Sequence, residues 1–170
     1  AVRETLMRWI IAAAPFVLAA CGEMTPAEEE AAREAAVAEV EANQEPPPEL
    51  LKLDPIRFAD IEKYNLYGAG CNFSPDGDAS APVALAQADA GYLIRRGELQ
   101  KLASDKGSAE KPYMSYRKYD GLEYSFTLDF DEANGRQSGY ETMDYDGTLT
   151  VRDGSDNVLY TAKGLVQCGA

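Results

Sequence analysis

Residues 122–130 read Leu122-Glu123-Tyr124-Ser125-Phe126-Thr127-Leu128-Asp129-Phe130, nine positions in which apolar and polar side chains alternate. A period of two sets Leu122, Tyr124, Phe126, Leu128 and Phe130 on one face of a β-strand and the polar set on the other. Such a strand needs partners for its backbone and cover for its apolar face, so this stretch sets the fold class. Partners are visible nearby. Val158, Tyr160, Ala162, Val166 and Cys168 share one parity of a second strand, with Gly164 expected at a bulge. Asp153-Gly154-Ser155-Asp156 joins it to 148–151 as a hairpin, and Arg96-Gly97 joins 92–95 to 98–102 as another.

Shorter strands are expected at 83–87 and 113–118, and a short helix at Phe58-Ala59-Asp60-Ile61-Glu62-Lys63-Tyr64. Turns are read at Asp76-Gly77, Asp120-Gly121, Asn134-Gly135 and Asp146-Gly147. About six to eight short strands with this punctuation make a mainly β fold, a small antiparallel β-sandwich or barrel.

Composition narrows the function. The 170 residues carry 29 acidic and 16 basic side chains, a formal net charge of −13, which argues against nucleic acid as a partner because phosphate binding needs clustered cations. Histidine is absent. That removes Ser-His-Asp and Cys-His catalysis, the common histidine-containing zinc sites and histidine-held haem. No enzyme activity, cofactor or metal is expected.

The chain divides into three parts: a leader at 1–20, a spacer at 21–49 and a β-rich domain at 50–170. Arg3 and Arg8 precede an uncharged run of 12 residues, from Trp9 to Ala20. That run is too short to span a bilayer, which takes about 20 residues, and suits a signal-peptide core. It ends in Leu18-Ala19-Ala20-Cys21-Gly22, which resembles the lipobox of bacterial lipoproteins. The resemblance implies cleavage before Cys21 and lipid on its thiol, a palmitate-type anchor. Met7 followed by Arg8 makes a compact start for such a signal, which sets residues 1–6 apart. Gly rather than Asp at position 22 implies, by the same resemblance, the periplasmic face of the outer membrane.

In the spacer, Thr25-Pro26-Ala27-Glu28 reads as an N-cap, a proline at the first helical position and a capping-box acid. An Ala/Glu-rich helical stalk follows to about Asn43, roughly 27 Å long. Pro46-Pro47-Pro48 stops it. Residues 22–49 hold nine Glu and one Arg, and few side chains larger than Ala to pack on anything, so the stalk reads as a solvated spacer. An oligomerising coiled coil is the alternative, although sustained heptads are lacking.

With Cys21 lipidated, Cys71 and Cys168 remain in an oxidising compartment, and one disulfide between them is expected. The alternative is two unpaired buried thiols. Leu, Ile, Val and Phe supply only 24 of the 121 residues from 50 onward, and a bridge and ten tyrosines would help so thin a core.

Candidate chemistry is sparse. Asp129, Asp131, Glu132, Asp144 and Asp146 sit at strand ends, where a carboxylate pair could serve a hydrolase but solvated turns are commoner. The string from Asp129 to Gly135 suggests a calcium loop, yet places Ala133 and Asn134 where an oxygen ligand and Gly are needed; an irregular calcium site using Asp129, Asp131, Asn134 or Asp144 stays open beside a plain Asn-Gly turn. Gly68-Ala69-Gly70 lacks the following helix of a phosphate loop and reads as a bend ahead of Cys71. Tyr113, Tyr116, Arg117 and Tyr119 form a candidate binding patch, with core packing as the competing account.

The expected role is a lipid-anchored envelope protein that binds or holds something, with another envelope protein or peptidoglycan as candidate partners. Two rivals stand beside it. One is a carboxylate hydrolase. The other is inhibition of a cationic lysozyme: the general build, with Ser138-Gly139-Tyr140 and Lys163-Gly164, is similar to the C-type lysozyme inhibitor family. The tryptophan usual near that family's second stretch is missing, and no site residues are carried over.

Overall fold

The computed structural model describes residues 25–43 and 49–170. Cys21, the leader and the proline run therefore lie outside the described residues. Helix α1 spans Pro26–Asn43 in one unit, and the residues from Pro47 onward form a second. Local chemistry starts α1. The Glu28 carboxylate accepts from the Thr25 N–H at 2.8 Å and the Thr25 hydroxyl at 2.7 Å, and the Glu28 N–H donates back to Thr25 Oγ1 at 3.4 Å. Val37 and Val40 are each 55% exposed, so the helix buries no apolar stripe.

The second unit begins with helix α2, Phe58–Tyr64, and continues as strands β1 (Gly70–Ser74), β2 (Ala84–Gln87), β3 (Ala90–Arg95) and β4 (Glu98–Ser104). A two-residue ladder, β5 (Glu110–Lys111) with β6 (Ser115–Tyr116), interrupts the meander. Then come β7 (Lys118–Asp120), β8 (Tyr124–Phe130), β9 (Arg136–Gly139), β10 (Thr142–Asp153) and β11 (Val158–Gly169). Eight of these close on themselves in the order β1-β2-β3-β4-β7-β8-β10-β11, with β11 returning to β1 and every pair antiparallel. The expected mainly β fold is thus a closed barrel, with β9 added beside the start of β10.

Eight strands enclose a space that side chains alone can fill. Phe73, Leu93, Leu102, Tyr119, Phe126, Leu128, Leu149, Val151 and Val166 fill it, each with at most 2% of its surface exposed. Tyr119 and Phe126 stack with ring centroids 4.8 Å apart. Cys71 and Cys168 form a disulfide between directly opposed residues of β1 and β11, fastening the first barrel strand to the last. Leu51 and Leu53 join the same core, and the Leu51 N–H donates to the Leu159 carbonyl at 2.8 Å, laying residues 50–53 across one mouth. A second, smaller cluster lies outside the barrel. There Ile61 and Tyr64 of α2 pack on Ile56, Leu66, Leu85 and Ile94.

The alternating stretch becomes β8, with Tyr124, Phe126 and Leu128 buried. Leu122 departs from the expectation and is fully exposed: the Gly121 N–H bonds the Tyr124 carbonyl, and this tight turn throws residue 122 outward. In β11 the expected parity holds from Tyr160 to Cys168 but inverts before it. Val151 faces Tyr160 while Arg152 faces Val158, so the bulge falls at Leu159, which turns inward, and Val158 is exposed.

Gly164 is in regular register opposite Gly147, and its own role is close approach: a Cβ there would strike the Ser74 carbonyl oxygen. Asp146-Gly147 is correspondingly no turn but the middle of β10. The Arg96-Gly97 hairpin forms as expected, with φ of 52° and 75° at its two central residues. Residues 113–118 do not make one strand. Pro112–Met114 is a 3-10 turn with Tyr113 and Met114 at φ of 57° and 61°, followed by β6 and the start of β7.

Candidate functional site

The tyrosine patch is not assembled. Tyr119 points into the barrel with none of its surface exposed; its hydroxyl donates to the Gln87 carbonyl at 2.8 Å and accepts from the Tyr116 N–H at 2.8 Å. Burial pushes the Tyr119 hydroxyl up to about 12. Tyr113 and Tyr116 are half-buried against the same core, and the Tyr113 hydroxyl donates to the Glu141 carbonyl at 2.7 Å. Only Arg117 faces solvent, and it bonds Asp129, which raises its guanidinium pKa further. The competing account, core packing, therefore holds for the three tyrosines, and the 3-10 turn at Pro112–Met114 means that no single strand runs through them.

The carboxylates are engaged separately. Asp129 holds Arg117, and Asp131 caps the turn at Ala133 and Asn134. Asp144 accepts from Ser138 and Gln167, and Asp146 meets Arg136 at 3.4 Å. Among the described residues no three acidic or cysteine side chains converge as metal ligands would.

A concave feature lies elsewhere, on the outer wall where α2 meets the ends of β1, β2 and β11. It is a cleft of about 320 Å³. Its position follows from register. Asn72 on β1 faces Leu85 on β2 and Gln167 on β11, and Gln167 faces Asp144 on β10. Because Cys71 and Phe73 point inward, Asn72 between them points out, and the row Leu85–Asn72–Gln167–Asp144 runs across four strands on the outer face.

Helix α2 and the segment after it wall this row on one side. The Asp60 carboxylate accepts from the Arg57 N–H at 2.9 Å and starts the helix. Asn65, at φ 53°, ends it, and the Leu66 N–H bonds back to Ile61 at 3.0 Å. That geometry leaves Leu66 buried as the floor and sets Phe58 and Tyr67 at the rim, 64% and 58% exposed.

The polar lining is mostly carboxamide. Gln87 Nε2 donates to the Leu66 carbonyl at 2.8 Å and Gln167 Nε2 donates to Asp144 Oδ1 at 2.9 Å. Each nitrogen keeps a second N–H, so both side chains can still donate as well as accept. Asn72 Oδ1 is closed off from solvent and has no donor. No charged side chain lines the cleft.

Asn72, Gln87, Gln167, Phe58 and Tyr67 were not singled out from sequence. The available signal was a polar residue between two inward-facing ones at 71–73, meaningful only once β2 and β11 are known to flank it. Among the described residues no helix is long and apolar enough to cross a membrane. Comparison with protein-family models, with curated proteins and with solved structures finds no match to the chain.

Proposed function

We propose that this protein is a lipoprotein fastened through Cys21 to the periplasmic face of the outer membrane, where its barrel acts as a non-catalytic binding module with the α2 cleft as its site. The anchoring half rests on Leu18-Ala19-Ala20-Cys21 behind a short uncharged run. The binding half rests on one observation above all: the cleft joins the exposed rings of Phe58 and Tyr67 to the carboxamides of Gln87 and Gln167, which can still donate and accept, a lining suited to recognition. The acidic α1 and the proline run that follows it would serve as a spacer between lipid and barrel.

Two measurements test the reading. Cys21→Ser should move the protein from the membrane fraction to the soluble periplasm, and mass spectrometry of the wild type should find acyl chains on residue 21; a bare thiol overturns the anchor. Photocrosslinking from position 67 in intact cells should capture an envelope component, and capture undiminished when the crosslinker is moved to position 122 would overturn the cleft as the binding face.

A second reading, inhibition of a cationic lysozyme, draws on Ser138-Gly139-Tyr140, which ends β9 and leaves Tyr140 95% exposed at the β9–β10 turn of an acidic, disulfide-closed barrel. Titration of a lysozyme with the protein decides it: full activity at micromolar protein removes this reading.

A further inference from the structure

We infer that Asn134 is a site of self-modification, where the backbone nitrogen of Gly135 attacks the Asn134 carboxamide and turns the residue into aspartate or isoaspartate, unclasping the turn that leads into β9. The chemistry begins in the dipeptide. Attack of the Gly135 nitrogen on Asn134 Cγ closes a five-membered ring, and a glycine has no Cβ to shield the attacking atom. The N–Cγ bond forms as Cγ–Nδ2 breaks, the Gly135 amide proton passes to the departing nitrogen, and ammonia leaves a cyclic imide. Water then opens the imide at one of its two carbonyls. Opening at Cγ gives aspartate; opening at the main-chain carbonyl gives isoaspartate, with the chain rerouted through the side chain. The two steps consume only water, and no electrons change hands.

The fold singles this asparagine out. Asn134 ends the 3-10 turn Glu132–Asn134 and is exposed, and the N–H of Gly135, which caps that turn, donates to no protein group. An unbonded N–H at the surface can give up its proton without first breaking a structural hydrogen bond. The other asparagines have better-protected successors. Leu66, after Asn65, donates its N–H to the Ile61 carbonyl at 3.0 Å. Asn72 and Phe73 are held in β1 between β2 and β11, with Phe73 buried. Asn157 precedes the branched side chain of Val158, and Asn43 precedes glutamine.

The product is what gives the site a consequence. Asn134 Nδ2 donates to Asp131 Oδ2 at 2.7 Å, and the other oxygen of the same carboxylate accepts from the Ala133 N–H at 3.0 Å. Conversion puts an oxyanion where that donor was. Two carboxylates then meet at hydrogen-bond distance, a repulsion that exposure to salt and water reduces without reversing its sign. The turn therefore loses a clasp just ahead of β9. The barrel closes through the other eight strands and does not depend on β9, so the loosening stays local.

The full chain, held folded in mildly alkaline buffer and then digested with trypsin, tests this by mass spectrometry against an unaged sample. The peptide 119–136 contains Asn134 as its only carboxamide, so replacement of an amino by a hydroxyl group in its mass reports the reaction directly. Conversion should accumulate there, divided between aspartyl and isoaspartyl forms at position 134, ahead of the peptides bearing the other asparagines. Hydrogen exchange over residues 131–139 should quicken by about fivefold in the converted protein, the weight of one lost hydrogen bond, with β11 unchanged. Asn134→Asp, made directly, should show the same quickening.

Every other outcome overturns the inference. An unaltered peptide mass, or conversion only after unfolding in urea, would show that the Asp131 clasp keeps the carboxamide away from Gly135. Faster conversion at another asparagine would reject the free Gly135 N–H as what selects the site. Conversion with unchanged exchange over 131–139 would reject the unclasping.

Discussion

The inside of the barrel and the outer face beside α2 are two sides of the same strands, yet they handle hydrogen bonding in opposite ways. Inside, the buried phenol of Tyr119 is fully paired, while Ser74 Oγ at the end of β1 is buried without a partner. The Tyr119 hydroxyl uses donor and acceptor at once, on the Gln87 carbonyl and the Tyr116 N–H, and its ring stacks on Phe126. Outside, one residue away along β1 from the buried disulfide, Asn72 carries a buried oxygen with no donor. A protein interior tolerates few such orphans because each gives up a bond to water for nothing. The contrast teaches that the interior is organised for stability, whereas the outer side of β1 carries a buried amide oxygen that the fold itself leaves unpaired.

Four measurements probe this contrast. The largest effect should come from Phe126→Ala, which opens a void beside Tyr119 and should cost about 3–5 kcal/mol in denaturant unfolding, with no gain in any cleft property. Removing the bridge with Cys71→Ala and Cys168→Ala together should cost about 2–5 kcal/mol, since the closed loop spans 97 residues and ties β1 to β11.

Tyr119→Phe should cost about 1–3 kcal/mol by leaving a buried carbonyl and N–H unpaired. Its pH dependence has a definite sign. Folding raises the hydroxyl pKa from 10.0 to about 12, so the folded state keeps a proton that the unfolded state releases. That stability is complete below pH 10 and is lost as pH rises toward about 12, and the variant should show less of this alkaline decline in unfolding curves than the wild type.

The smallest effect belongs to the cleft. Asn72→Leu should change stability by about 1 kcal/mol or less, and in the stabilising direction, because it replaces an orphaned amide with an apolar group of similar volume beside Leu85. A large destabilisation there would show that Asn72 is a structural residue and would weaken the case for a binding site.

Much of this molecule was readable along the chain where short-range chemistry does the deciding. Thr25, Pro26 and Glu28 specify the start of α1 within one turn, and that turn forms the expected bonds. Arg96-Gly97 makes its hairpin because its own φ angles suit it, and Phe58–Tyr64 forms the short helix. Reading failed where a distant backbone intervenes. The bulge at Leu159 sits where the distant Leu51 N–H bonds that carbonyl, and a Cβ at Gly164 would strike the Ser74 carbonyl of β1. Tyr119 could be assigned to core or surface only after the turn at Pro112–Met114 had reset the strand phase.

A two-residue period says which face of a strand is apolar, and equal parity of the neighbours of Cys71 and Cys168 is compatible with both sulfurs facing inward. It does not say which strand lies beside which. Closure of eight strands into a barrel rather than two packed sheets, and the lateral run from Leu85 through Asn72 and Gln167 to Asp144, depend on pairings between residues up to about a hundred positions apart. Those pairings are selected by the packing of the whole interior, so the cleft they create on the outer wall has no signature in any single stretch of the chain.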